Sequence, residues 1–314
     1  MAAGPRIVDL SPFLADDSNL EIVAAELDQS FHEIGAAYLV GHGVDLNLVD
    51  KVFQTTKDFF KLPKEIKKKY AKANARGDFN GYQDIGEESL DNEPGSSFEM
   101  KECYDLEVPN PVFPEEAPEF ETTSREFWDA MDNLTKIIYK LLKGILKVDE
   151  EFLIDSSYFS GDASEHTIFR VLKYPRVPEG YVFEKGTVRC AEHFDWEIIT
   201  FIIQDSVGGL DMKTPDGQWI QASPVPNSII CLVGEILEVW TKGYYPAVPH
   251  RIPLTEDDER RKQDRYSVAY FVAPNDDFVV KPLEGSRFNK TDYSFTPKTY
   301  KAMYEDHVAK SRAY

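Results

Sequence analysis

The stretch Ala191-Glu192-His193-Phe194-Asp195-Trp196, taken with the later Pro249-His250-Arg251, decides how the rest of this 314-residue chain is read. A histidine and an aspartate two residues apart on extended backbone present both side chains to one face, so a single ion can take both, while Phe194 points away. His250, in an apolar, proline-flanked segment, is placed to bring a third ligand from a different strand. Two imidazoles and one carboxylate form the facial set that holds a non-haem Fe(II) and leaves coordination positions open. His-x-Asp alone is a frequent tripeptide; Arg265-Tyr266-Ser267, further on, raises its weight. In a strand Arg265 and Ser267 share a face, and an arginine fork beside a hydroxyl suits a carboxylate held through two hydrogen bonds. The competing reading of Arg265 is an ion pair with a carboxylate of the chain itself.

Outward from this stretch, short apolar runs alternate with turns. Thr167–Tyr174, Ile198–Gln204, Leu210–Lys213, Gln218–Ala222, Ile229–Val233 and Arg265–Val272 read as strands, punctuated by Gly208-Gly209, Pro215-Asp216-Gly217 and Pro226-Asn227. Such spacing predicts a sandwich or jelly roll. Upstream the periodicity changes. Arg6–Phe13 reads as a short strand and turn, and Leu20, Ile22, Val23, Leu27, Phe31 and Ile34 recur at helical spacing up to Gly35. Ala36–Val40 reads as a buried strand and Asp45–Leu62 as a second helix; Pro63 opens a third, whose Lys64, Lys67, Lys68 and Lys69 are expected to form a solvated face. Arg76 to about Pro118 reads as loop, a candidate pocket wall in which Phe98–Tyr104 forms an edge. Thr123 to Leu146 carries a wide apolar stripe and reads as a long core helix. The class is therefore α+β: a double-stranded β-helix, or jelly-roll, core with an N-terminal helical layer and a C-terminal helix. The expected parts are residues 1–150, 151–285 and 286–314, forming one structural unit.

The chain lacks an internal repeat, a Gly-rich phosphate loop, a serine nucleophile elbow and paired-cysteine metal spacing. A formal charge of −20 argues against nucleic-acid or anionic-membrane partners, since no basic face easily dominates such a field. Cys103, Cys190 and Cys231 are few, scattered and odd in number, which fits a reducing compartment. The start carries no hydrophobic signal core and no apolar run is long enough to span a bilayer, so a cytoplasmic monomer is expected. His32, His42 and His307 read as structural histidines.

The order His193-x-Asp195, His250-Arg251, Arg265-x-Ser267 resembles the 2-oxoglutarate- and Fe(II)-dependent dioxygenases of the isopenicillin N synthase-like group. The likeness extends over nearly the whole chain. Ala36–Val44, Phe59–Pro63, Arg170–Pro178, Asp205–Leu210, Gly217–Ile220 and Val239–Gly243 look like that family's landmarks in order. The resemblance implies that His193, Asp195 and His250 ligate iron, that Arg265 and Ser267 clamp the far carboxylate of 2-oxoglutarate, and that Tyr174 adds a hydrogen bond to it. It also implies O2 as oxidant, ascorbate as a candidate reductant, and conversion of 2-oxoglutarate to succinate and CO2. The outcome would be hydroxylation, desaturation or ring closure of a small metabolite, in the manner of secondary metabolism. Two departures stand out: Leu172 where the family often has Asn, and Cys231-Leu232-Val233-Gly234-Glu235 in place of its Val-Asn-Ile-Gly-Asp, a change expected to touch only packing.

Phe194, Phe271 and Tyr82 are the candidate substrate contacts, and a C-terminal helix over Lys298–Lys310 is a candidate lid. Two other readings fit the same residues. One is a same-fold Fe(II) oxidase that uses no 2-oxo acid, as isopenicillin N synthase and aminocyclopropane carboxylate oxidase do, and the other is a non-catalytic metal-binding jelly roll.

Overall fold

The structure is a computed structural model that describes residues 4–72, 80–88, 97–107, 110–149, 152–153, 156, 167–183, 186–255, 258–284, 288 and 293–311, with side chains to 308. His166 and parts of the expected 76–118 loop lie outside the described residues.

The N-terminal part alternates strands and helices: β1 (Arg6–Asp9), α1 (Ser11–Ala15), α2 (Leu20–Ile34), β2 (Ala36–Val40), α3 (Leu46–Lys61) and α4 (Lys64–Lys68). Next come β3 (Gly81–Gln83), β4 (Phe98–Glu99), β5 (Glu102–Glu107) and the long α5 (Pro118–Leu146). Local chemistry explains the boundaries. Gly35 stops α2 at φ 77°, the left-handed cap glycine tolerates, and a Cβ there would sit 2.1 Å from the Pro246 carbonyl oxygen. Asp45 caps α3, its side chain accepting from the Asn47 N–H.

The β half follows as β6 (Ile168–Tyr174), β7 (Thr187–Val188), β8 (Cys190–His193), β9 (Ile199–Gln204), β10 (Leu210–Lys213), β11 (Trp219–Ala222) and β12 (Ile229–Val233). After it come α6 (Glu235–Trp240), β13 (His250–Ile252), β14 (Arg265–Val272), β15 (Val279–Val280), β16 (Lys298–Thr299) and α7 (Tyr300–Ser311). These strands form an eight-stranded sheet, ordered β1-β2-β12-β9-β14-β6-β5-β3, and a four-stranded sheet, ordered β11-β10-β13-β8. The architecture is the expected jelly roll with added helices.

Alternation along the strands divides the apolar residues into two cores. On β14, Tyr266, Val268, Tyr270 and Val272 face one way and join Phe169, Val171, Phe201 and Ile203 in the core under the helices. Phe59, Phe120 and Phe127 of α3 and α5 close that core, each fully buried side chain contributing about 1.5–3 kcal/mol. Ala269, Leu172, Tyr174 and Ile202 belong instead to a second core, shared with Leu210, Met212, Ala222 and Ile252 of the smaller sheet. The site lies in this inter-sheet space.

The 1–150 part supplies β1, β2, β3 and β5 to the large sheet beside its helices. One expectation is corrected there. Lys67 is not solvated. It is 6% exposed and its ammonium pairs with Glu102, donating also to the Phe60 carbonyl at 3.2 Å. Among the described residues no helix is long and apolar enough to cross a membrane.

Candidate metal centre and cavity

β8 and β13 lie side by side in the small sheet with His193 opposite His250, which sets their rings 4.3 Å apart. Asp195 follows β8, and its Oδ1 is 3.8 Å from Nε2 of each histidine. One ligand atom from each residue lies within 4.8 Å of the others, close enough to share one ion. The opposite ring nitrogens fix the tautomers. Nδ1 of His193 is 2.9 Å from the Ala191 carbonyl and Nδ1 of His250 is 3.0 Å from that of Val248. A carbonyl can only accept, so each Nδ1–H donates and each Nε2 turns a lone pair towards Asp195.

Electrostatics favour a cation between them. Asp195 is 5% exposed, and its Oδ2 has no hydrogen-bond partner among the described residues. Burial, reinforced by His193, depresses His250 to about 4, so at neutral pH it is an uncharged ligand. Glu197, behind the ligands, is pushed up to about 8 by burial and then by Asp195. That shift favours its protonated form beside the ligands.

The loop bearing Asp195 is held from the far side by the stretch expected to matter only for packing. The Glu235 N–H donates to the Asp195 carbonyl at 2.9 Å, and the Ile236 N–H to that of Glu197 at 3.2 Å. A Cβ at Gly234 would fall 2.1 Å from the Glu197 carbonyl oxygen, so only glycine allows this approach. Cys231–Glu235 thus positions a ligand. Nothing in the sequence pattern alone distinguishes this contact from ordinary packing.

A cavity opens beside the three ligands, between the two sheets. At one end stands Arg265, 1% exposed. It donates to the Gly208 carbonyl at 2.6 Å, Ser267 Oγ at 3.0 Å and Gln204 Oε1 at 3.3 Å, and its guanidinium lies 4.8 Å from the Tyr174 ring centre. These hydrogen-bond partners are neutral, and no carboxylate among the described residues makes an ion pair with Arg265, although Asp205 feels its charge through space. A guanidinium has five N–H groups, so two remain without a described partner. Burial pushes Tyr174 up to about 12, leaving a phenol able to donate.

The strand register places the other end. Arg265 pairs with Tyr174 and Ala269 with Arg170, so Arg170 and Phe271 stand four or more residues along the sheet from the clamp, roughly 13 Å at strand rise. Leu172, Ala269 and Ile202 line the space between, Arg170 stands at its far end, and Lys101 also lines the cavity. Sequence reasoning missed both cations. The available signal was Arg170, which shares strand parity with Leu172 and Tyr174 in an otherwise apolar run. Arg251 also lines the cavity, its guanidinium 3.8 Å from the centre of the Trp219 ring.

Of the candidate substrate contacts, only Phe271 lines the cavity. Phe194 turns outward, its ring 6.3 Å from that of His307. Tyr82 is a correction: it pairs with Tyr104 on the helix side of the sheet, is 1% exposed, and donates to Glu102 at 2.7 Å. No described side chain of α7 lines the cavity either. It packs behind the ligand loop, with His307 stacked 4.7 Å from Trp196 and bonded to Glu235 at 2.7 Å, and is not a lid over the mouth.

Comparison with known proteins gives the same reading. Residues 165–274 match the 2OG-Fe(II) oxygenase superfamily, and residues 6–130 match the N-terminal region described as that of non-haem dioxygenases in morphine synthesis. Homoarginine-6-hydroxylase 2-ODD-C23.1 of Arabidopsis thaliana is 30% identical over 290 residues, covering 87% of this chain and 83% of that protein. The chain belongs to the 2-oxoglutarate/Fe(II)-dependent dioxygenases. Among solved structures, a full-length Neurospora crassa protein in complex with alpha-KG and thymine superposes with a TM-score of 0.80 at 28% identity, covering 97% of this chain and 96% of that one. The 2-oxoglutarate-Fe(II) type oxidoreductase ppzD of Metarhizium rileyi is 28% identical, covering 88% and 83%. This dioxygenase is thus an enzyme that uses Fe(II) and 2-oxoglutarate to oxidise a small molecule.

Proposed function

We propose that His193, Asp195 and His250 hold the Fe(II), that Arg265, Ser267 and Tyr174 hold the distal carboxylate of 2-oxoglutarate, and that the Phe271 end of the cavity holds the molecule to be oxidised. The observation that carries this reading is Arg265: a fully buried cation with only neutral partners and two spare N–H groups, in the same cavity as the three-ligand cluster. A buried charge without a counter-ion costs several kcal/mol, a cost that an arriving carboxylate would offset. Ser267 Oγ and the Tyr174 phenol add hydrogen bonds to the same group.

Bound Fe(II) supplies O2 activation coupled to decarboxylation of 2-oxoglutarate, yielding succinate and CO2. The chain's own residues orient and exclude. Two carbonyl-anchored imidazoles and the loop held by Gly234 and Glu235 fix the ligands. Leu172, Ala269 and Ile202 keep the space between clamp and substrate dry. Strands of residues 1–150 and 151–285 interleave in one sheet, which supports treating them as one structural unit, and Phe288, Tyr300, Met303 and Tyr304 join the same core. The three buried thiols and the −20 charge support a reducing, cytoplasmic setting and no nucleic-acid partner, with a monomer acting on a metabolite of secondary metabolism.

Anaerobic addition of 2-oxoglutarate to the Fe(II) protein should produce a visible charge-transfer band, and His193→Ala should abolish both band and succinate formation. A wild-type protein that binds Fe(II) yet shows no band would sink the clamp assignment.

A further inference from the structure

At the far end of the cavity Arg170 sits within a buried network that the ammonium of Lys101, another lining residue, joins through Glu88. Arg170 donates to Asp105 through Nε and Nη2 at 2.6 and 2.8 Å, and to Glu88 through Nη1 and Nη2 at 3.2 and 3.1 Å. Lys101 pairs with Glu99, with Glu88 at 3.0 Å, and contacts Cys190 Sγ at 3.6 Å. Lys72 joins through Asp105 at 2.9 Å. Among the described residues three cations thus face three carboxylates, and their formal charges balance. Two of the carboxylates are fixed by strand backbone, Glu99 on β4 and Asp105 on β5. Glu88 is different: it comes from the loop after β3 and bridges the two cations that line the cavity.

We propose that Glu88 determines substrate charge: by neutralising the Arg170–Lys101 pair it makes this end of the cavity select an uncharged molecule and reject organic acids. The inference rests on the functional reading above and names the substrate class for that site. An incoming acid would meet a wall with no net positive charge to receive it, and an intramolecular carboxylate with several close contacts is not displaced by a dilute free one. An incoming amine would meet no unpaired carboxylate among the described residues of this network. Four of Arg170's five N–H groups are used within the network, so one Nη1 N–H is left for a neutral acceptor such as an amide, lactam or ketone carbonyl. Phe271, with the Arg170 guanidinium 5.8 Å from its ring centre, and Leu172 give that molecule an apolar body to pack against.

The test uses three size-matched probes on the Fe(II)- and 2-oxoglutarate-loaded enzyme under anaerobic conditions: 3-phenylpropanamide, 3-phenylpropanoate and 3-phenylpropylamine. Affinity is read from perturbation of the charge-transfer band and, independently, from the rise in melting temperature. Wild type should bind the amide at least about 10-fold more tightly than the acid or the amine. Glu88→Gln, which keeps the shape and leaves one cation uncompensated, should shift the acid-to-amide ratio towards the acid by about 100-fold. Glu88→Asp should retain the wild-type preference. The proposal fails if wild type prefers the acid, which would make Glu88 displaceable, or the amine, which would make it a cation receptor. It also fails if E88Q leaves the ratio unchanged or none of the probes binds. Because band formation reports the 2-oxoglutarate site separately, a protein that forms the band but shows no probe selectivity refutes this inference alone.

Discussion

Two arginines bracket the cavity, and they are opposites. Arg265 is enclosed by neutral acceptors, whereas Arg170 is neutralised by Asp105 and Glu88. Both are buried guanidinium groups on neighbouring strands of one sheet, separated only by strand register. The difference shows that burial of a basic residue does not by itself mark an anion site; what matters is whether the chain supplies its counter-ion. At the Arg265 end it leaves that role to a co-substrate. At the Arg170 end it supplies Glu88 and Asp105, making the end wall part of the fold's own electrostatics.

The sharpest way to break this comparison is to remove each arginine and measure stability and co-substrate use separately. Arg170→Gln strands Asp105 and Glu88 in the interior with only lysines nearby, and should cost about 3–5 kcal/mol in a denaturant or thermal unfolding experiment. Near-wild-type stability would mean that the network is loosely held and the contrast false. Arg265→Gln relieves a buried charge but also loses hydrogen bonds to Gly208, Ser267 and Gln204, and because the two effects oppose each other the unfolding free energy should move by less than about 1 kcal/mol. Its effect should appear instead in co-substrate use, as a rise of about 100-fold in KM for 2-oxoglutarate, equivalent to roughly 2.7 kcal/mol of binding. A large loss of stability without a change in KM would reverse the roles assigned to the two ends.

The Arg265 end was legible in the sequence and the Arg170 end was not, for a physical reason. His193-x-Asp195 and Arg265-x-Ser267 are short-range patterns whose spacing matches strand parity, so the relation between side chains is already present in the chain order. His250 needed only one further step, adjacency of two strands. The Arg170 network joins residues from four separate segments: Lys72, Glu88, the β4–β5 stretch and β6. Charges in the loop-like 76–118 stretch look solvated until the sheet is assembled, and Lys67 was misread in the same way. The fold class and most strand boundaries followed from alternation and turn residues. β1 and β2 followed in the same way, whereas β3 and β4 did not, because they are only three and two residues long.

Gly234 tests how far the metal side depends on backbone placed from the opposite direction. Gly234→Ala must move the Glu197 carbonyl or the start of α6, and the relaxation should cost about 1–3 kcal/mol. The same shift should weaken Fe(II) binding, read by titration under anaerobic conditions, while the KM for 2-oxoglutarate changes little once iron is saturating. Loss of stability with unaltered iron affinity would show that the Asp195 loop holds its shape without this contact.

The smallest expected effect concerns Tyr82, which reads as a pocket-rim residue in sequence but lies on the helix side of the sheet. Its hydroxyl donates to Glu102, which also receives Lys67 and, at 3.1 Å, Lys173. Tyr82→Phe removes one donor from a carboxylate that keeps two ammonium partners, so the ring packing against Phe59 survives and the loss should be about 1.5 kcal/mol. The large sheet separates Tyr82 from the cavity, so the 2-oxoglutarate KM and the amide-over-acid preference should both match wild type. A change in either, at unchanged stability, would mean that the helix face communicates with the site, and the separation of the molecule into a structural core and a catalytic core would have to be given up.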